Sequence, residues 1–184
     1  MLELNFNPFP ELETERLFLK RLNSQNIDDL FEIRSNKETM RFIPRPVAKT
    51  KDDAKKVMDM INEAIDKNDG INWGLHVKET GKLIGIAGFV RINKNNYRGE
   101  VGYVLNSNYH KKGFMNEALD AILEFGFNTL NFNCIEAIID PDNTSSMGVV
   151  EKLNFKREGR LRDFTFHNEK FSDAFVYSKL NREV

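Results

Sequence analysis

The chain has 184 residues, of which 40% are hydrophobic and 30% charged, and 27 Lys and Arg against 28 Asp and Glu give a formal net charge of -1. That length fits one core of ordinary size in a single domain spanning 1–184, and the balanced charge leaves no overall field to gather nucleic acid or an anionic membrane. The single cysteine, Cys134, excludes an intrachain disulfide framework and a typical structural zinc site, which suits a reducing cytoplasm, and no stretch approaches the roughly 20 apolar residues of a membrane span.

From Glu13 to Leu22, Leu17 and Leu19 alternate with Phe18, Lys20 and Leu22, the period of a strand. Asn23 to Ser35 follows with helical spacing at Ile27, Leu30, Phe31 and Arg34, and Ser24 or Asn26 is placed to cap it. Pro44 and Pro46 interrupt any helix. Thr50, Asp52 and Asp53 then open a second one, with an apolar face of Ala54, Val57, Met58, Ile61 and Ile65, which Asn68, Asp69 and Gly70 stop. INWGLHV and LIGIAGFVRI flank a turn at Lys78 to Lys82, the pattern of a hairpin.

The most informative stretch runs from Glu100 to Phe155. Strand-like GEVGYVL breaks at Asn106, Ser107 and Asn108; after the basic turn HKKG, a helix starts near Gly113 with Phe114, Ala118, Ala121, Ile122 and Phe125 on one face. Cys134 to Ile139 is a short apolar strand ended by Pro141 and Asn143, and Met147, Val150 and Leu153 form the stripe of a further helix. A βαβ unit that opens through a positive turn leaves free backbone N–H groups where an anionic ligand can sit. The tail from Phe155 to Leu180 reads as two strands around Asn168 and Glu169.

Three segments in this order carry a family resemblance: LETERLFLKRL, the strand with Gly102 and Tyr103 leading into Lys112 to Ala118, and the run from Asp140 to Phe155. Together they resemble a GNAT acetyltransferase, of the branch similar to the ribosomal-protein alanine N-acetyltransferases, over about Leu12 to Leu180. The resemblance implies an α/β fold with a mixed, mostly antiparallel sheet splayed in the middle. It also implies acetyl-CoA as co-substrate, with its pyrophosphate on the backbone amides of Lys111 to Met115 at the start of the Gly113 helix. A helix N-terminus carries roughly half a positive charge and unpaired donors, and Lys111 and Lys112 add screened attraction.

The same resemblance assigns Glu100 as general base for the acceptor ammonium and a backbone amide within Tyr103, Val104 and Leu105 as donor to the thioester oxygen. It places Asn143 on the pantetheine arm, with helix capping as its local role, and Ser146 or water beside the leaving thiolate. His110, Lys111, Phe114, Met115 and Asn116 complete the expected cofactor contacts. The turn departs from the family pattern: His110 stands for Gln or Arg, Lys111 often for Gly, and Met115 for Gly or Ala, which brings a long side chain toward the phosphate approach. The Tyr that many relatives carry seven residues after the Asn is here Val150, and Asn154 replaces a Gly at a helix stop that Asn tolerates.

The expected reaction is direct, general-base-assisted transfer of acetyl to a primary amine, either a protein N-terminus or a small molecule, with analogy favouring the former. Neither a Walker loop nor a dinucleotide fingerprint occurs, and His76, His110 and His167 lack metal-ligand spacing, so no metal is expected. Cys134 reads as a buried thiol, Trp73 and Phe89 as core, and Phe42, Ile43 and Tyr97 as candidates for the acceptor border. A non-catalytic acyl-CoA-binding module is the alternative, and a homodimer is left open as the assembly.

Overall fold

Alternation and helical spacing resolve into one sheet with helices on both faces. The computed structural model describes residues 1–167 and 169–183. Its strands are β1 (Leu12–Glu13), β2 (Leu17–Lys20), β3 (Ile71–Val77), β4 (Leu83–Asn93), β5 (Arg98–Leu105), β6 (Cys134–Ile139), β7 (Lys156–His167) and β8 (Lys170–Leu180). The helices are α1 (Ile27–Ser35), α2 (Lys51–Asp66), α3 (Phe114–Asn128) and α4 (Thr144–Lys152). Sheet order is β1-β2-β3-β4-β5-β6-β8-β7, antiparallel throughout except for β5 with β6. Of the two residues read as the final turn, Asn168 lies outside the described residues, and Glu169 has φ 59°.

Each face of the sheet has its own apolar layer. Leu17, Leu19, Trp73, Phe89 and Val101 pack against α3 and α4, whereas Leu22, Leu83, Ile86 and Val104 pack against Leu30 and Ile33 of α1 and Ala54 and Met58 of α2. Leu22 therefore points to the opposite face from Leu17 and Leu19, as the alternation requires. Trp73 is fully buried, donates Nε1–H to the Pro10 carbonyl at 2.7 Å and meets Phe125 edge-on at 5.5 Å. Such a ring is a large apolar contribution, about 1.5–3 kcal/mol for an aromatic of Phe size. Phe89 packs edge-on with Phe132 and leaves no room above it at Gly126, where a Cβ would come within 2.5 Å of its ring. Gly126 thus lets α3 lie close on the sheet.

The structure corrects several local expectations. Asn26 holds the N-cap position of α1, as one of the two predicted candidates, but its side chain does not bond that helix; its Oδ1 accepts from Asn23 N–H at 2.9 Å while the Asn23 side chain accepts from Gln25 N–H, a capping box around the short 3₁₀ turn that leads into α1. The buried face of α3 is wider than the predicted one and includes Met115, Leu119, Leu123 and Phe127, while Ala121 is half-buried. Thr50 and Asp53 form the capping box of α2 as their spacing suggests. Asn154 adopts φ 64°, the left-handed stop that Asn tolerates.

Candidate active site

The parallel pairing of β5 with β6 is brief. Arg98, Gly99 and Glu100 pair with Cys134, Ile135 and Glu136, and there the ladder ends although β5 continues to Leu105 and β6 to Ile139. On its other side β5 stays paired to β4, with Gly85 opposite Leu105 and Asn106 N–H donating to the Ile84 carbonyl at 2.8 Å. That bond fixes the parity of the antiparallel ladder: Val104 and Gly102 bond toward β4, so the N–H groups of Tyr103 and Leu105 point into the gap. The gap is the predicted splay, and it supplies a row of donors unused by the sheet. A bulge between Phe89 and Arg91 in β4 adds local twist beside it.

The gap opens into a cleft of about 480 Å³. Tyr103, Val104 and Leu105 line one wall; His110, Lys111, Gly113, Phe114, Met115 and Asn116 line the floor at the start of α3; Asn143 and Ser146 line the opposite wall. Gly113 caps α3 with φ 82°, and among the described residues no side chain bonds to this helix end, so its first N–H groups are available to an anion. These observations fit a phosphate-bearing thioester carrier: an uncapped helix start for its charge and an extended row of strand amides for its arm.

Individual side chains settle some sequence questions. Met115 is 6% exposed and belongs to the main core, although it also lines the cleft floor. Lys111 holds φ 59°, a left-handed conformation that costs a non-glycine residue about 1–2 kcal/mol, so this departure from the family pattern is not free. Lys112 does not line the cleft; its ammonium donates to the Asn108 carbonyl at 2.9 Å and lies over the Tyr109 ring. His110 Nε2 sits 2.9 Å from the Leu105 carbonyl, and Phe42 and Ile43 border the cleft whereas Tyr97 does not.

Across the gap, Ser146 Oγ donates to the Tyr103 hydroxyl at 2.8 Å, and that hydroxyl donates to the Ser146 carbonyl at 3.3 Å. Asn143 accepts from Ser146 N–H at 3.1 Å and so caps α4, the local role read from sequence. Burial pushes the Tyr103 phenol up to about 12 despite the Ser146 bond, so it remains a neutral donor through physiological pH. The Tyr103 side chain was invisible to sequence reasoning, which used only its backbone.

Glu100 lies apart. It shares the face of Gly102 and Val104 by alternation, and it lines a separate cavity of about 650 Å³ with Arg91, Arg98 and Glu136. Its partner is Arg91 at 3.2 Å, and Arg98 pairs with Glu136 at 2.6 Å. Burial raises the Glu100 carboxyl above its ordinary value, Arg91 opposes this and Glu136 reinforces it. Cys134 is buried and its thiol is raised by that burial, consistent with a structural role.

A brace that sequence reasoning missed holds the floor in place. Glu117 in α3 accepts from Thr14 Oγ1 at 2.6 Å, Arg16 N–H at 2.7 Å and Arg16 Nε at 2.6 Å. Arg16 also reaches the Lys112 carbonyl at 3.0 Å and lies over the Phe114 ring. The LETERL segment that marked the family is thus a clamp on the basic turn, and its conspicuous Thr and Arg were the available signal.

A family profile described as an acetyltransferase (GNAT) domain matches residues 16–156. The chain belongs to the GNAT acetyltransferase family. The N-acetyltransferase p20 of Bacillus licheniformis, itself uncharacterized, is 34% identical over 172 residues, covering 94% of this chain and 97% of that protein. Among solved structures, a GNAT-family acetyltransferase from Bacillus anthracis superposes with a TM-score of 0.85 at 26% identity, covering 95% of this chain and all of the other (100%). RimL, a ribosomal L7/L12 alpha-N-protein acetyltransferase solved with coenzyme A, shares the fold at a TM-score of 0.84 and 16% identity, covering 95% of this chain and 100% of its own. This GNAT chain is therefore an acetyl-CoA-dependent acyltransferase by family.

The clamp generates a test of how the floor is held. Burial alone would raise the Glu117 carboxyl, but its bonds to Thr14 and Arg16 outweigh burial and hold it below its ordinary value. Its stabilisation is then full above the unfolded carboxylate pKa, near about 4.3, and fades as pH falls through the lower folded value. Glu117→Gln should lower thermal stability at pH 7, by about 1–3 kcal/mol for lost charged hydrogen bonds, with the gap from wild type closing in acid. Melting curves across pH that stay parallel would show that Glu117 contributes no such charge.

Proposed function

We propose that this protein transfers acetyl from acetyl-CoA to a primary amine, with a protein N-terminal residue as the acceptor. The observation that carries this reading is the pair of gap-facing amides, Tyr103 and Leu105, above an uncapped helix start at Gly113. Bound acetyl-CoA supplies the activated acyl group. The first N–H groups of α3 take the pyrophosphate, with Lys111 adding charge, and Asn143 together with the Leu105 amide orients the arm. The Tyr103 amide donates to the thioester oxygen as it gains negative charge; one preorganised donor of this kind is worth about 3 kcal/mol.

Glu100 serves as the base, directly or through water. Its raised carboxyl is better matched to an ammonium than an exposed glutamate would be, and it needs little strength if the acceptor is an α-amine with a pKa of about 7.7–8.0. Glu100 must be deprotonated to act, so activity falls as pH drops through its raised pKa. The Tyr103 and Ser146 hydroxyls stand where Val150 provides no acid. A phenol near 12 is more basic once ionised than a thiolate of reference pKa about 8.5, so full proton transfer from Tyr103 to sulfur runs uphill by several pKa units. By the same reasoning neither Tyr103 nor Ser146 gives up its proton outright: both act as hydrogen-bond donors to the departing sulfur, and the proton comes from water, directly or relayed through Ser146. RimL, as an alpha-N-protein acetyltransferase, acts on the same class of amine.

Glu100→Gln is expected to bind acetyl-CoA as wild type does while losing about 10²-fold or more in kcat near neutrality, the loss shrinking toward pH 9 as free amine accumulates. Equal turnover on N-terminal peptides would remove Glu100 from the mechanism, and no turnover by the wild type on any amine would favour a binding module. Tyr103→Phe should lower kcat by about tenfold at unchanged acetyl-CoA affinity, the effect of one lost hydrogen bond in the transition state. A change confined to KM would mean that the phenol only shapes the cleft.

A further inference from the structure

Among the described residues one shielded side-chain atom has no hydrogen-bonding partner, Nε of Arg34. Arg34 stands in the last turn of α1 and is 7% exposed. Three other buried polar side chains have partners: Asn26 bonds Asn23 and His76, Asn106 bonds Glu32, and Ser178 bonds Glu158. The Arg34 guanidinium meets no carboxylate among the described residues. Burial disfavours its charge, and the one neighbouring charge that acts on it, Arg45, disfavours it further. The α1 C-terminus offers only about half a unit of compensating charge. A buried arginine whose Nε has no partner and whose charge a second arginine opposes is costly in the free protein, and an oxyanion is the ligand that relieves it.

The position of this pair links it to the cleft. Ala48 N–H donates to the Arg34 carbonyl at 3.0 Å and closes the connection between α1 and α2 into a loop rooted at Arg34. Arg45 lies exposed in that loop, with the Met60 sulfur 3.9 Å away as its polar neighbour. The loop's middle, Thr39, Arg41, Phe42 and Ile43, forms part of the cleft wall. Both arginines therefore flank the segment that an acceptor must pass.

We propose that Arg34 and Arg45 form an oxyanion subsite at the foot of this wall, which takes a carboxylate or phosphate carried by the amine acceptor. The planar fork of Arg34 suits bidentate pairing with either group, and Arg45 adds charge at the rim. The preferred acceptors are then amines with an acidic neighbour, and polycationic amines are disfavoured. Anion binding stands on Arg34 alone; its assignment to the acceptor rests on the acetyl-transfer reading above.

Two measurements test it on the full chain. Thermal unfolding without acetyl-CoA compares inorganic phosphate with sodium chloride at equal ionic strength for wild type, Arg34→Met and Arg45→Ala. Phosphate should raise the wild-type Tm above its chloride value through both the α3 start and the subsite, and the rise should fall in Arg34→Met to the part that the α3 start contributes and shrink in Arg45→Ala, whose exposed site keeps the test valid if Arg34→Met folds poorly. Acetylation of peptide pairs with Glu or Gln beside the amine should favour Glu by about tenfold in kcat/KM, the equivalent of one charged hydrogen bond, with the ratio falling toward one in both variants. No phosphate-specific shift, an equal shift in wild type and Arg34→Met, or no preference for Glu would each overturn the proposal. Failure to acetylate any amine with the phosphate shift intact would count against the transfer reading while upholding the subsite.

Discussion

Between Glu100 and Glu136 the ladder joining β5 to β6 stops, and the amides of Tyr103 and Leu105 are left facing open space rather than a neighbouring strand. Buried backbone donors without partners are expensive in a folded protein, so a sheet interrupted at its centre persists only where solvent or a ligand completes it. Here the interruption lies directly above the start of α3, another place where backbone donors are unspent. The two sets of amides belong to one βαβ unit, and the length of the Asn106 to Lys112 connection sets how they face each other. Ligand chemistry in this fold follows from that juxtaposition more than from any single side chain.

The rest of the structure holds the juxtaposition steady. Gly126 brings α3 onto Phe89, and the Thr14, Arg16 and Glu117 clamp ties the helix start to the edge of the sheet. On the far wall, Asn143 caps α4 and the Tyr103 to Ser146 hydroxyl pair spans the gap. Charge is arranged with the same economy. Glu100 and Glu136 share their cavity with Arg91 and Arg98, and Arg91 restrains but does not abolish the upward shift of Glu100. Arg34, by contrast, meets no carboxylate among the described residues.

Elements whose stability is local were legible in the sequence. The alternation at Leu17 and Leu19, the Thr50 and Asp53 box and the hairpin around Gly81 are all short-range patterns, and each is present. The Glu100 to Phe155 order gave the βαβ unit, and the family resemblance predicted its splay. What escaped is whatever depends on side chains meeting across long sequence distances. Thr14 and Arg16 reach Glu117, and Tyr103 reaches Ser146, without any periodicity that could announce the contact. The burial of Met115 in the main core was not legible because a turn residue's direction depends on where the helix axis lies, which one-dimensional spacing does not give. The placement of Glu100 in a cavity of its own likewise required the strand's facing to be known.

If the interrupted ladder is where the thioester arm lies, then the amide protons of Tyr103 and Leu105 report it directly. Hydrogen exchange at these two positions, followed with and without acetyl-CoA, is the measurement closest to the central claim. Marked slowing at Tyr103 and Leu105 on addition of acetyl-CoA, with Gly102 and Val104 already protected by β4, is the predicted result. Binding of acetyl-CoA that leaves the Tyr103 and Leu105 exchange rates unchanged would contradict it.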